Sequence, residues 1–235
     1  MVPGPDQANP GRLIGQLKEL FEFQKDRGRQ FFPKSKINQG SSILKEDTQR
    51  KFGSYEALSR AVMECQNCPL AQNRHHAVPG QGSPNSRLMF VGEGPGFEED
   101  QQGRPFVGPA GQLLTKMIQA IDLQRDEVFI TNVVKCRPPE NRLPLDDEVE
   151  ACRLFLEEEI RLVDPRIIVP LGSCAAQTLT RSKKKISDLR GRLLDFNGRR
   201  LIATYHPAYL LRNPGAKREA WEDLKRVRRE YDGQE

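Results

Sequence analysis

Four of the five cysteines are spaced like the ligands of a metal centre. Cys65 and Cys68 form a Cys-x2-Cys step, and Cys136 and Cys152 follow later in the chain. Such a step lets two thiolates from one turn face the same ion, and two further thiolates can close a tetrahedral or cuboidal site. The spacing alone leaves three alternatives open: a zinc ion, an iron–sulfur cluster and a redox-active set of thiols.

Three polar residues occur on or just after predicted strands. Glu93 lies in the loop Gly92–Gly96, Asn132 lies in an apolar run four residues before Cys136, and His206 precedes a proline. Sites in parallel sheets lie at the carboxyl ends of the strands, so we expect these side chains to converge on one edge. Each has an alternative. The glycine loop can be a tight turn or a phosphate cradle, although Gly-x-Gly alone is a weak signal and Pro95 removes one amide donor. Asn132 can merely satisfy backbone groups, and His206 can be a core histidine.

Phe106 lies in a loop, Gly103–Gly111, that is rich in proline and glycine. A phenylalanine held on a rigid loop is well suited to stacking against a planar ring. A core phenylalanine would not need so many prolines and glycines around it. The loop therefore predicts a binding site for a planar group.

A predicted alternation of strands and helices positions these residues. The predicted strands are Leu88–Gly92, Val128–Val134, Ile167–Leu171 and Leu201–Thr204, and the predicted helices are Ala110–Ile121, Asp146–Leu162, Ser173–Leu179 and Lys217–Glu230. The alternation indicates an α/β fold, a three-layer α/β/α sandwich with a mostly parallel central sheet of about four strands. The pair Asn197-Gly198 predicts a type I′ hairpin between Leu193–Phe196 and Arg200–Ala203.

The chain of 235 residues divides into an extension and a compact domain. Apolar residues at helical spacing predict an amphipathic helix over Arg12–Asp26, followed by a polar linker, so residues 1–52 are expected to be a helical extension. The domain is expected to span 53–235, with Ser54 as the N-cap of its first helix. The extension can either dock on the domain or bind a partner.

Composition and charge favour a soluble protein that meets a polyanion. Charged residues make up 29% of the chain, and no run of eighteen apolar residues predicts a membrane helix. The N-terminus lacks a signal peptide and the cysteine count is odd, so we expect a reducing cytoplasm. Residues 181–235 carry 15 Lys and Arg against 8 Asp and Glu, a net charge of +7. Such a basic region indicates a polyanion-facing side or a merely solvated charged surface.

Five segments resemble, in order and spacing, the motifs of family 4 uracil-DNA glycosylases, the iron–sulfur branch of the uracil glycosylase superfamily. They are Cys65-Gln-Asn-Cys68, Gly92-Glu-Gly-Pro-Gly96 with Glu98-Glu-Asp100, Gly103-Arg-Pro-Phe106-Val-Gly108, Thr131-Asn-Val-Val-Lys-Cys136-Arg-Pro-Pro139 and His206-Pro-Ala-Tyr-Leu-Leu-Arg-Asn-Pro214. One such segment would be a weak signal. Five in order, with both later cysteines in place, are a specific one, and the domain 53–235 is expected to be the catalytic domain of such a protein.

The resemblance implies a glycosylase that flips uracil out of DNA and hydrolyses its N-glycosidic bond, leaving an abasic site. Glu93 and Gly94 would lie in the loop that holds the attacking water. Gly94 stands where other branches of the superfamily carry a carboxylate, so that base looks absent here. His206 would donate a hydrogen bond to uracil O2 as negative charge develops there.

The resemblance also implies how the base and the DNA are held. Gly96 would lie against the C5 edge of uracil, Phe106 would stack on the flipped base, and Asn132 would pair with N3 and O4. Leu210, Leu211 and Arg212 are expected to enter the DNA. Leu210 is the better candidate to fill the vacated stack, although either leucine can instead anchor the loop to the core. Lys and Arg residues within 181–185 are candidates for phosphate contacts.

For the four cysteines, the resemblance favours a 4Fe–4S cluster over zinc. Base excision needs no electron, so the cluster is expected to hold the pocket together. The expected partner is uracil-containing DNA, single- or double-stranded, bound by a monomer whose N-terminal helix contacts a repair or replication protein. The principal alternative is a catalytically inactive, metal-stapled nucleic-acid-binding protein. A relative that traps uracil-DNA covalently through an extra histidine loop is disfavoured because no histidine lies between His76 and His206.

Overall fold

The computed structural model describes residues 52–233, which lie within one compact unit, Gln49–Glu235. The predicted helix Arg12–Asp26 and the linker that follows it lie outside the described residues. The division at residue 52 and the role of the extension therefore stay predictions. Within residues 52–233, no helix is long and apolar enough to cross a membrane.

Six strands form one mixed sheet. They are β1 (Gln81–Gly82), β2 (Leu88–Gly92), β3 (Phe129–Asn132), β4 (Ile167–Pro170), β5 (Leu194–Phe196) and β6 (Arg199–Leu201). Their order is β1-β3-β2-β4-β6-β5, with parallel pairing among the inner four and antiparallel pairing at both edges. The α/β class is confirmed, but the predicted sheet of about four mostly parallel strands was wrong. The edge strand β1 has only two residues and no apolar run that could reveal it.

The hairpin of β5 and β6 was predicted from its turn. Asn197 and Gly198 have φ values of 52° and 80°, the left-handed backbone that a type I′ turn requires at both central positions. The turn residues are therefore the main signal for this pairing, since β5 and β6 have only three residues each and carry little signal of their own.

Eight helices of the described region cover the sheet. They are α1 (Tyr55–Glu64), α2 (Phe97–Gln102), α3 (Pro109–Gln119), α4 (Asp146–Val163), α5 (Gly172–Thr180), α6 (Ile186–Leu189), α7 (Pro207–Arg212) and α8 (Lys217–Asp232). Helix α1 begins as predicted, because the Ser54 side chain accepts a hydrogen bond from Ala57 N–H at 3.2 Å.

The core consists of two apolar layers, one on each face of the sheet. Along β2, Met89 and Val91 pack with residues of α1, α4 and α5, whereas Leu88 and Phe90 pack with residues of α3 and α8. This alternation follows from the two-residue period of a strand that is buried on both faces. The result is a three-layer sandwich whose inner strands all direct their carboxyl ends to one edge.

Candidate active site

The carboxyl ends of the parallel strands frame a cavity of about 620 Å³, called here the strand-end pocket. In the parallel register of β2 and β3, Gly92 lies opposite Asn132, so the glycine loop and Asn132 are adjacent. The pocket wall includes seven of the residues that the sequence singled out, namely Glu93, Gly94, Gly96, Phe106, Asn132, His206 and Arg212. The predicted convergence of Glu93, Asn132 and His206 on one edge is therefore confirmed.

Asn132 has an unpaired acceptor inside the protein. Its side chain is 2% exposed, yet its Oδ1 has no hydrogen-bond partner among the described residues. Buried polar atoms are normally paired, so an orphan acceptor that lines a pocket indicates a ligand donor. A Cβ on Gly92 would lie 2.3 Å from this Oδ1 and 2.5 Å from Phe106 Cζ. Glycine is thus required at position 92, a role that the sequence reasoning missed although a strand glycine can mark such a close approach.

A buried carboxylate holds the two loops beside Phe106. Glu99 Oε1 accepts hydrogen bonds from the N–H groups of Val107 and Gly108, both at 2.9 Å, and its Oε2 accepts one from Gly96 N–H at 3.1 Å. Phe106 itself is 6% exposed and has a φ of 53°. Glu99 therefore fixes the glycine loop relative to the phenylalanine. The sequence analysis missed this role, because nothing in the sequence of Glu98, Glu99 and Asp100 shows that Glu99 and Asp100 are buried and Glu98 is not.

His206 is neutral and its tautomer is defined by a hydrogen bond. Ala208 N–H donates to His206 Nδ1 at 3.1 Å, so the ring proton is assigned to Nε2. Loss of water contact, with a smaller contribution from Arg212, lowers the pKa of His206 to about 4. The ring lies 5.7 Å from that of Phe106, centroid to centroid. His206 is therefore a neutral N–H donor at the pocket.

Glu93 and Gly94 form the opposite part of the wall. Burial raises the pKa of Glu93 above its usual range, because the charged carboxylate loses hydration. A Cβ on Gly94 would lie 2.8 Å from Val134 Cγ2, so the chain passes close to the end of the neighbouring segment. The pocket therefore combines a carboxyl group of raised pKa with a neutral imidazole.

The four predicted cysteine ligands belong to one packed region, called here the thiol cluster. Cys136 and Cys152 are buried in the core layer beneath α1 and α4, and Cys65 and Cys68 pack against it. Burial raises the pKa of Cys136, and the electrostatic influence of Cys65 and Cys68 acts in the same direction. Burial also raises the pKa of Cys152 to about 12, with a smaller contribution from Cys136.

The surroundings of the thiol cluster suit thiolate ligands. Cys136 Sγ accepts a hydrogen bond from the Arg74 guanidinium at 3.0 Å, and Cys152 Sγ accepts one from Lys135 N–H at 3.3 Å. Such donors to sulfur are a usual feature of iron–sulfur sites. As the side chains are placed, no three Cys, His, Asp or Glu residues between 52 and 233 meet the geometry of a metal site. The donor set thus fits a metal centre in its chemistry, and binding would require the thiols to lose their protons and close together.

Comparisons with known proteins show the family of the chain. A model of the uracil DNA glycosylase superfamily matches residues 79–225. A type-4 uracil-DNA glycosylase of Thermotoga maritima is 45% identical over 177 residues, covering 74% of this chain and 92% of that protein. One from Sulfurisphaera tokodaii is also 45% identical, covering 74% of this chain and 84% of that protein. The chain belongs to the type-4 uracil-DNA glycosylases. A type-5 uracil-DNA glycosylase of Pyrobaculum aerophilum is less similar, at 35% identity over 69% of this chain and 86% of that protein.

In this type-4 uracil-DNA glycosylase, a buried ion pair connects the strand-end pocket to the thiol cluster. Lys135 Nζ donates to Glu159 Oε2 at 2.6 Å, to Thr131 Oγ1 at 2.7 Å and to the backbone oxygen of Asn132 at 2.6 Å. Glu159 lies on α4, the helix that carries Cys152. The same Asn132 thus presents its side chain to the pocket and its carbonyl to Lys135. The sequence analysis did not single out Lys135 or Glu159, because nothing in the sequence shows that the two are buried together.

The leucines that follow His206 differ sharply in burial. Leu210 is 1% exposed and packs with residues of α3 and α8, whereas Leu211 is 44% exposed. The preference for Leu210 as the residue that fills the vacated DNA stack is therefore corrected, since its side chain anchors the loop to the core. Leu211 is the leucine that is available to DNA, and the exposed Arg212 lies beside it on the pocket wall.

Proposed function

We propose that the uracil-DNA glycosylase activity of this chain is performed in the strand-end pocket, on a uracil flipped out of DNA. The observation that carries the proposal is the buried, unpaired Oδ1 of Asn132 beside Phe106. This acceptor suits uracil N3–H, while the amide NH₂ of the same side chain suits O4. Phe106 stacks on the base, and Gly96 lies at its C5 edge.

His206 stabilises the leaving base. The bond between C1′ and N1 breaks with its electron pair moving to uracil, and the charge that develops at O2 accepts a hydrogen bond from Nε2–H. One positioned donor of this kind is worth about 2.7–4 kcal/mol of barrier. The neutral tautomer of His206 supports this role, because its Nδ1 is occupied by Ala208 N–H.

Water completes the hydrolysis. Glu93 and the backbone at Gly94 hold a water molecule, whose oxygen bonds to C1′ as the base departs. The proton that this water loses ends on the uracil anion, so the products are free uracil and an abasic site. Because the sugar is already electrophilic, the reaction does not require a second carboxylate at Gly94. The cost of flipping, a few kcal/mol, is lowest for single strands and mismatches.

The remaining parts of the proposal concern the cofactor and the partners. Cys65, Cys68, Cys136 and Cys152 would hold a 4Fe–4S cluster, which supplies structural cross-linking rather than electrons. Leu211 and Arg212 contact the DNA. We further propose a cytoplasmic monomer with residues 53–235 as its catalytic domain and residues 1–52 as a helical extension that contacts a repair or replication protein.

Release of the free base tests the proposal directly. The full chain is incubated with an oligonucleotide that contains one deoxyuridine, and with matched oligonucleotides that contain deoxycytidine or thymidine. We expect chromatography to detect uracil from the first and no base from the other two, and alkaline treatment to cleave only the first strand. If excess protein binds the deoxyuridine strand but releases no uracil, the chain is the inactive binding protein and the proposal is wrong.

A further inference from the structure

A second groove, of about 1370 Å³, lies beside the strand-end pocket. The two cavities share Glu93, Leu143, His206 and Tyr209 as wall residues, so they are continuous across a ridge made by His206 and Tyr209. The pocket on one side of the ridge is large enough for a nucleotide. The groove on the other side is larger, and apart from the shared residues its wall has no part in the catalysis described above.

One wall of the second groove is basic and unpaired. Arg181, Lys183 and Lys185 lie in the loop between α5 and α6 and line the groove. Their side chains have no hydrogen-bond or ion-pair partner within residues 52–233, while Gln177 Nε2 holds the loop by donating to the Lys184 carbonyl at 3.0 Å. The charges thus lie on an anchored loop and form no ion pair within the described residues.

The opposite wall, from α4, has a different charge pattern. It carries Asp146, Glu150 and Arg153, and Arg153 pairs with Glu150 at 2.9 Å and with Glu157 at 3.1 Å. Positive charge without a partner is therefore confined to the loop of α5 and α6. An anionic chain in the groove would follow that loop and keep away from α4.

The ridge between the cavities carries a supported aromatic ring. Tyr209 stacks on Tyr205 with ring centroids 5.1 Å apart and an angle of 30° between the rings. Tyr205 is itself held by a hydrogen bond from its hydroxyl to Glu219 at 2.9 Å and by the Arg190 guanidinium, 5.2 Å from its ring centre. Tyr209 remains 40% exposed. A ring that is supported from behind and exposed in front is suited to stacking a planar group.

From this combination we propose that the second groove binds the strand segment that flanks the flipped uridine. The neighbouring base stacks on Tyr209, and the phosphates beyond it contact Arg181, Lys183 and Lys185. An aromatic platform together with a basic track is the usual means of binding single-stranded nucleic acid without reading its sequence. Continuity with the pocket places this segment in the same strand as the uracil. The inference rests on the proposed function, because it identifies where the substrate continues.

The phosphate contacts are tested with the double variant Lys183→Gln/Lys185→Gln. Steady-state kinetics are measured on single-stranded oligonucleotides that extend progressively to either side of one deoxyuridine. We expect KM of the unchanged protein to fall as the strand grows on one side, and the double variant to lose that gain with kcat unchanged. The slope of log KM against log salt concentration is expected to fall by about 1.4, at about 0.7 for each lost phosphate contact. The control Lys116→Gln/Arg229→Gln removes the same charge from α3 and α8 and is expected to behave like the unchanged protein.

The stacking contact is tested by combining the variant Tyr209→Leu with a change in the substrate. The base next to deoxyuridine is replaced by an abasic spacer on the side where extension lowers KM. We expect this replacement to raise KM at least ~5-fold for the unchanged protein and for Tyr209→Phe, but less than ~2-fold for Tyr209→Leu.

The outcomes separate the two proposals. If both variants keep the length dependence and the spacer effect of the unchanged protein, the second groove does not bind the flanking strand, and uracil excision stands. If the unchanged protein releases no uracil from any strand, the proposed function itself fails.

Discussion

The strand-end pocket and the thiol cluster are separated by only a few residues, yet their buried polar groups differ in hydrogen bonding. The pocket contains groups without a partner, whereas the groups next to the thiol cluster are paired. In the pocket, Asn132 Oδ1 is buried and has no partner within residues 52–233, and the Nε2–H of His206 is likewise directed at no described acceptor. Next to the thiol cluster, Glu159 accepts hydrogen bonds from Gly80 N–H, the Thr131 hydroxyl and Lys135. Unpaired groups cost stability and are kept where a ligand supplies the partner, whereas paired groups hold the fold.

This contrast predicts that substitutions in the two regions change different properties of the protein. Changes around the thiol cluster should lower the free energy of unfolding, and changes in the pocket should lower the rate while leaving the fold intact. The two regions meet at Asn132, whose side chain belongs to one and whose carbonyl belongs to the other.

The largest effect is expected from Cys152→Ser. The substitution removes a proposed cluster ligand from α4, so we expect loss of the broad visible absorbance band in the blue and a decrease of more than ~4 kcal/mol in the free energy of unfolding. Visible spectra of anaerobically purified protein and urea unfolding measure the two quantities. Cys174→Ser, outside the thiol cluster, is the matched control and should change neither. A full absorbance band in Cys152→Ser would remove Cys152 from the ligand set.

Next in size is Lys135→Met, which leaves the fully buried Glu159 carboxylate without its cation. Removing one partner of a buried ion pair costs about 3–5 kcal/mol, so the urea midpoint should fall strongly. The double variant Lys135→Met/Glu159→Gln removes both charges and should recover much of the loss. Lys116→Met, on the surface of α3, should stay within ~0.5 kcal/mol of the unchanged protein. Equal stability of Lys135→Met and the unchanged protein would contradict the assignment of this pair to the fold.

In the pocket, His206→Ala should reduce kcat by ~10²–10³-fold, the usual result of removing one donor to a developing oxyanion. Affinity for a deoxyuridine oligonucleotide should change little, and the free energy of unfolding should fall by only about 1 kcal/mol, the usual cost of losing an N-cap acceptor such as His206 Nδ1. Single-turnover uracil release measures the effect on rate, and equilibrium binding measures the effect on affinity. His76→Ala, on the surface away from the pocket, is the histidine control. Near-normal turnover of His206→Ala would remove the contrast between the two regions.

The sequence was most informative where local chemistry decides structure. The apolar run of β2 and the glycine loop after it predicted the end of that strand, and the alternation of strands and helices predicted that Glu93, Asn132 and His206 meet at one edge. The pair Asn197-Gly198 predicted the hairpin in the same way, and both residues have the positive φ that the turn requires. These features depend on a few adjacent residues, so a single chain contains the necessary information.

The sequence was least informative where burial depends on distant elements. Leu210 and Leu211 are chemically identical neighbours, and only the packing of α7 on α3 and α8 decides which one is buried. The buried Glu99 could not be told apart from the exposed Glu98 for the same reason. The second groove joins α4, the loop between α5 and α6, and α7, and no local pattern marks the three as neighbours.

The smallest effect is the one that pH is expected to have on kcat of the variant Glu93→Gln. His206 is neutral above its pKa of about 4, so its protonation state should change little between pH 5.5 and pH 8. Glu93 has a raised pKa, and its carboxylate loses its charge as pH falls through that value. The fall in kcat on the acid side should therefore belong to Glu93.

The variant Glu93→Gln separates the two groups. Its residual kcat should change less than ~2-fold between pH 5.5 and 8, whereas kcat of the unchanged protein should fall as the pH is lowered through the raised pKa of Glu93. A residual rate that still falls below pH 7 would mean that His206 titrates near the ordinary value of about 6.5, as it would in water. His206 would then be charged in part of the working range, and the pocket would no longer rely on a neutral N–H donor that is left unpaired for the ligand.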